Sequence, residues 1–129
     1  MPYTITWEDR GVYKKFYGFI TVAEFHQATE LQHGDHRFAD VRYVINDFLE
    51  ITGYERLDVI EPALANVASK IQDVYESRMG VRIAIVTTDD LIDTFGRYFA
   101  SSEFMHCRME IFPTVAQARA WLKGELLSS

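Results

Sequence analysis

The chain has 129 residues, 48% of them hydrophobic, 14% aromatic and 25% charged, with a formal net charge of -6 and a pI near 5.1. One ordinary domain spanning 1–129 fits that length, and the apolar content is too high for a disordered chain. The acidic balance argues against a duplex nucleic-acid partner, and one cysteine excludes a disulfide framework and any zinc cluster built on cysteines.

Met1 to Glu8 lacks the basic and apolar regions of a secretory signal, and stretches such as Ile83-Ala84-Ile85-Val86 are too short to span a bilayer. The expected location is the cytoplasm, with no integral membrane segment. Tyr3, Ile5 and Trp7 alternate with Thr4, Thr6 and Glu8, which marks a half-buried strand. Asp9-Arg10-Gly11 reads as a tight turn with its positive φ at the glycine, and Val12 to Tyr17 as the second strand of a hairpin ended by Gly18. Thr21 and Glu24 form a capping box for a helix with Val22, Phe25, Ala28 and Leu31 on its apolar side, closing near Gly34.

Arg42 to Phe48 is the third strand. After Gly53 the pattern turns helical, with Pro62 in the first turn, a stripe through Leu64, Val67, Ala68, Ile71, Val74 and Tyr75, and an end at Gly80. Arg82 to Thr87 is the fourth strand, and Thr88 or Asp89 caps a helix burying Leu91, Phe95 and Tyr98 or Phe99. Gly96 weakens that helix unless close packing requires it. Cys107, Met109 and Ile111 alternate in a fifth strand, Thr114 and Gln117 form a second capping box, and Val115, Ala118, Trp121 and Leu122 pack a last helix.

The order ββαβαβαβα predicts an α/β domain with a mixed five-stranded sheet and right-handed crossovers, strands one and five at the edges. Four helices leave one sheet face thinly covered, which suits a ligand or a second subunit.

Three stretches carry a family resemblance. They are Phe16-Tyr17-Gly18 leading into the Thr-capped helix, Val44-Ile45-Asn46-Asp47 at the third strand's end, and the tail from Met109-Glu110-Ile111-Phe112-Pro113-Thr114 through Ala118-Arg119-Ala120-Trp121-Leu122. Together they resemble the STAS-like fold, and most closely the SpoIIAA-like proteins named after an anti-sigma factor antagonist. The resemblance implies a right-handed β/α superhelix with no catalytic chemistry of its own. In the antagonists an Asp-Ser-Ser-Gly type segment follows the third strand, and its serine, at a helix N-terminus, is phosphorylated by a partner kinase. Asp47 matches the acid at the strand end, and Thr52-Gly53 is the nearest equivalent of the Ser-Gly pair, without an acid before it. The wider fold group is also similar to the lipid-exchanging CRAL-TRIO domains, which implies a hydrophobic-ligand role as the alternative.

Ligands of open parallel sheets lie beyond the strands' carboxyl ends. The candidate interaction or ligand edge is therefore Asp47, Phe48, Thr52, Gly53, Tyr54, Thr88 and Asp89, with Phe48, Tyr54 and Phe99 as liners of any apolar cavity. Thr21, Asp89 and Thr114 serve equally as plain helix caps. His33-Gly34-Asp35-His36 with His26 and Asp40 offers imidazoles and carboxylates, but Gly34 breaks the helix and no i, i+4 histidine pair exists, so a solvated loop is favoured over a metal site. His106 and Cys107 are neighbours on a strand and point to opposite faces, so they make no nucleophile–base pair. Lys14-Lys15 among Tyr13, Phe16 and Tyr17 reads as a solvated strand face rather than a nucleic-acid platform. The expectation is a non-enzymatic regulatory or protein-interaction domain with no cofactor and no bound metal. Its partner is a protein, and a small hydrophobic ligand or a homodimer on the thin face is compatible with the pattern.

Overall fold

The computed structural model describes residues 3–56, 80–101 and 108–128. The helix anchored at Pro62 and the His106-Cys107 pair fall outside them. The elements are β1 (Tyr3–Glu8), β2 (Gly11–Ile20), α1 (Val22–Gly34), a 3-10 turn (His36–Asp40), β3 (Tyr43–Tyr54), β4 (Arg82–Val86), α2 (Asp90–Ser101), β5 (Arg108–Phe112) and α3 (Val115–Ser128). The sheet order is β1-β2-β3-β4-β5. β1 is antiparallel to β2, and the pairs β2–β3, β3–β4 and β4–β5 are parallel. The result is a single α/β domain on a mixed five-stranded sheet.

Side-chain alternation divides the core into two layers. On one face Val12, Phe16, Val44, Phe48, Ile83 and Ile85 pack with Ala28 of α1 and, partly buried, Ile92 of α2. On the other face Ile45, Ala84 and Val86 meet Ala118 and Leu122 of α3. That helix packs mainly over β3, β4 and β5 and reaches the back of β1 and β2 through Arg119, which pairs with Glu8 and lies over the Tyr13 ring.

Local signals are realised as local chemistry. The Thr21–Glu24 capping box is complete, Asp89 Oδ2 accepts from the N–H groups of Leu91 and Ile92 at 3.1 and 3.0 Å, and Gln117 N–H donates to Thr114 Oγ at 3.2 Å. The cap of α2 is therefore Asp89. At α1 the sequence pattern misplaces one residue: Ala28, Thr29 and Gln32 are buried, and Leu31 is 52% exposed.

Three strand details differ from expectation. The positive φ of the first turn falls on Arg10 (φ 58). Gly11 is required for another reason: a Cβ there would lie 2.0 Å from Tyr43 Cζ, because the Tyr43 ring lies across it. Gly11→Ala is expected to displace that ring and cost about 1–3 kcal/mol. Chemical denaturation should also show the loss to be much smaller in a Tyr43→Leu background.

Gly18 does not end β2. It takes φ 72 inside the strand, beside register shifts between Lys15 and Tyr17 and between Gly18 and Phe19. β3 likewise runs six residues past Phe48, to Tyr54, because β2 continues alongside as its partner. β4 pairs only as far as Asp47↔Val86, so the far ends of β2 and β3 project beyond it as a two-stranded parallel ribbon. Gly96 answers to close packing: a Cβ there would stand 2.8 Å from Ile111 Cδ1.

The histidine-containing loop is built from local contacts. Asp35 accepts from Arg37 N–H at 2.9 Å and pairs with its guanidinium at 2.8 Å, the His33 ring lies 4.8 Å from Phe38, and His26 pairs with Glu30 at 3.1 Å.

Candidate functional site

The residues expected at the working edge separate into two groups. Asp47 and Phe48 belong to the interior, at 4% and 8% exposure. Tyr13 O–H donates to Asp47 Oδ2, and Leu49 N–H donates to Asp47 Oδ1 at 2.9 Å. The carboxylate thus holds the backbone where β3 bulges. The Phe48 ring stacks on Phe16 with centroids 4.8 Å apart, so it fills the core.

Thr52, Gly53, Tyr54, Thr88 and Asp89 lie at or near the surface. Thr52 is exposed and falls between the pairs Gly18↔Ile51 and Phe19↔Gly53, as the extra residue of a β-bulge. It therefore stands inside a strand and not at a helix start, which is where the resemblance placed a phosphoacceptor. Gly53 lies under the Phe19 ring, a Cβ there being 3.3 Å from Phe19 Cδ2. Tyr54 O–H donates to Asp89 Oδ2 at 2.8 Å, and burial, then this bond, raises the phenol's pKa. One carboxylate oxygen thus caps α2 and ties the ribbon to it. Glu55 Oε1 accepts from Val22 N–H at 2.7 Å and ties the ribbon to α1.

Behind the sheet a polar network fastens α3. Arg119 donates twice to Glu8, at 3.0 and 2.8 Å, and Tyr43 O–H donates to the same carboxylate at 2.5 Å. Arg119's hydrogen bonds hold Glu8 below the usual carboxylate range. Burial, reinforced by Glu8, pushes Tyr43 up to about 12, and burial followed by Asp47 raises Tyr13 as well. These groups are spent on each other.

The lysine pair divides between the two faces of the sheet, Lys15 on the solvated side as expected and Lys14 in the interior. Lys15 forms an ion pair with Glu50. Lys14 faces the α1 side at 2% exposure, its Nζ 5.7 Å from the centre of the Phe25 ring. Burial alone pulls its pKa down to about 7.

The feature that sequence reasoning missed is apolar. Tyr17, Phe19 and Leu49 are 37%, 57% and 39% exposed, all on the ribbon formed by the far ends of β2 and β3. Tyr17 and Phe19 flank Gly18, and reading that glycine as a strand end hid their i, i+2 relation. This surface offers aromatic and aliphatic contact area next to the Lys15–Glu50 ion pair and the exposed Thr52.

The architecture is that of the SpoIIAA-like fold. A comparison with solved structures finds an uncharacterised DUF3478-family protein with a SpoIIAA-like fold from Shewanella loihica PV-4, at TM-score 0.56 and 18% identity, over 93% of this chain and 91% of that one. It also finds the anti-sigma factor antagonist SpoIIAA in its unphosphorylated form, at TM-score 0.59 and 10% identity, over 95% of this chain and 98% of that one. No protein-family model matches the sequence, and no curated protein does either.

Proposed function

We propose that this protein is a non-enzymatic regulatory domain that acts by binding a protein partner through the β2–β3 ribbon. The observation that carries the reading is the gathering of Tyr17, Phe19 and Leu49, exposed, on one projecting pair of strands. Exposed aromatic residues are the usual anchors of protein interfaces, and the fold shared with an anti-sigma factor antagonist supports the same reading. Thr52, Gly53, Tyr54, Thr88 and Asp89 form the rim in this proposal. Asp47 and Phe48 act from beneath, holding the ribbon's shape. The proposed place of action is the cytoplasm.

The test is a photo-crosslinking residue at position 19, followed by comparison of wild type with Phe19→Asp. The expected result is one crosslinked partner whose affinity drops about a hundredfold in Phe19→Asp, with the domain's melting temperature unchanged. A partner that binds Phe19→Asp as tightly as wild type would show the working surface to lie elsewhere.

A further inference from the structure

A second surface lies on the opposite side of β2 from β3. β1 ends the sheet, and among the described residues no strand pairs with its outer edge. Natural edge strands are blunted by charges, prolines or bulges. β5, at the other end, follows that rule, with exposed Arg108 and Glu110 at alternate positions. β1 is charged only at its end, where Glu8 closes the strand and the Arg37 guanidinium lies 4.7 Å over the Trp7 ring; Tyr3 to Trp7 itself holds no charge and no proline, and its pairing with β2 runs one to one without a bulge.

The same strand is self-complementary. Tyr3-Thr4-Ile5-Thr6-Trp7 reads aromatic, Thr, Ile, Thr, aromatic in both directions. Antiparallel pairing with a second copy about Ile5 sets Tyr3 against Trp7, Thr4 against Thr6, and Ile5 against its twin. Aromatic pairs and Thr–Thr pairs are both favourable across strands. The exposed Thr4 and Thr6 stay on the back face, and the aromatics stay on the core side.

An independent observation on α1 points to the same place. Tyr3 O–H donates to Gln27 Oε1 at 2.9 Å, so the Gln27 side of the helix overhangs β1. Leu31, one turn further on, shares that side. α1 and β1 both run opposite to β2, and four helical residues advance about as far as two strand residues, roughly 6 Å. Leu31 therefore stands level with Ile5. It is 52% exposed, and Ala23, Gln27, Leu31 and Gly34 form an uncharged exposed stripe along the helix. A two-fold axis through Ile5 lays the two α1 helices side by side on one face of a continuous sheet. With strands about 4.8 Å apart and α1 lying over β1 and β2, the helix axes fall about 10 Å apart, a normal packing distance.

We infer that the chain forms a two-fold homodimer by antiparallel pairing of β1 with β1, with Leu31 of each α1 covering its counterpart. The interface is distinct from the β2–β3 ribbon and leaves that ribbon free. Sedimentation velocity of the full chain, up to about 200 µM, is the test, since an interface this small should give micromolar association. Wild type should sediment as a dimer. Leu31→Glu sets like charges together, and Thr6→Lys breaks the Thr4–Thr6 pairs. Each should weaken dimerisation by about tenfold or more and keep a wild-type melting curve at low concentration. Amide exchange should show β1 outer-edge protection in wild type that is lost in Leu31→Glu. A wild type that stays monomeric throughout, or a dimer indifferent to both substitutions, would overturn the inference.

Discussion

Lys14→Met should make the domain more stable at neutral pH, by about 2–4 kcal/mol. Lys14 lies within the layer formed by Phe16, Phe25 and Phe48, and its folded pKa is about 7 against the ordinary 10.5. The sign follows from proton counting. Between pH 7 and 10.5 the unfolded chain holds the lysine proton and the folded chain has released it, so wild-type stability rises with pH across that window. Below about pH 7 both states hold the proton and the penalty is constant. Methionine has similar length and no charge, so the slope should vanish and the two proteins should converge near pH 10. Tyr13 and Tyr43 work in the opposite sense: their raised folded pKa values remove stability as pH climbs above 10. Guanidinium midpoints from pH 7 to 9.5 isolate the lysine. A flat wild-type profile there, or a methionine variant weaker than wild type, would show the amine to be stably charged in place.

Asp47→Ala should cost about 2–4 kcal/mol, the second large effect. The substitution strands the Tyr13 hydroxyl and the Leu49 N–H at the bulge that lets β3 continue beside β2. Tyr13→Phe should cost less, and the double variant should fall short of the sum by about 1–2 kcal/mol, since both remove one bond. Additive losses in urea titrations would mean that the two groups act separately. Asp47→Arg buries an unmatched guanidinium and should unfold the domain, so lost binding in that variant carries no information about contact. Phe19→Asp changes an exposed ring and is the cleaner substitution.

How much of the fold and of the candidate surface is legible in the sequence follows the range of the interactions. Asp89 as a cap could be read from sequence because its partners, Leu91 and Ile92, are two and three residues away. Its bond to Tyr54 spans 35 residues, and only the folded sheet brings the two together. From sequence, Thr52 and Gly53 read as lying beyond a third strand that ends at Phe48, with the pattern turning helical after Gly53. In the fold, the run of β2 beyond Phe16 supplies a partner that keeps β3 extended past that glycine.

The sequence by itself determined the α/β class, the succession of strands and helices over the described residues, and the caps at Thr21 and Thr114. Period, capping and turn chemistry act over a few residues. The tertiary structure alone decided that Lys14 is buried, that Gly11 answers to Tyr43, that Asp47 faces inward and that Leu31 faces out. Each of these depends on neighbours far along the chain, whose position no local pattern encodes. The aromatic composition divides in the same way. The aromatic share builds one core layer through Tyr3, Phe16, Phe25 and Phe48, and leaves Tyr17 and Phe19 on the surface, where strand pairing carries them beyond the sheet's edge.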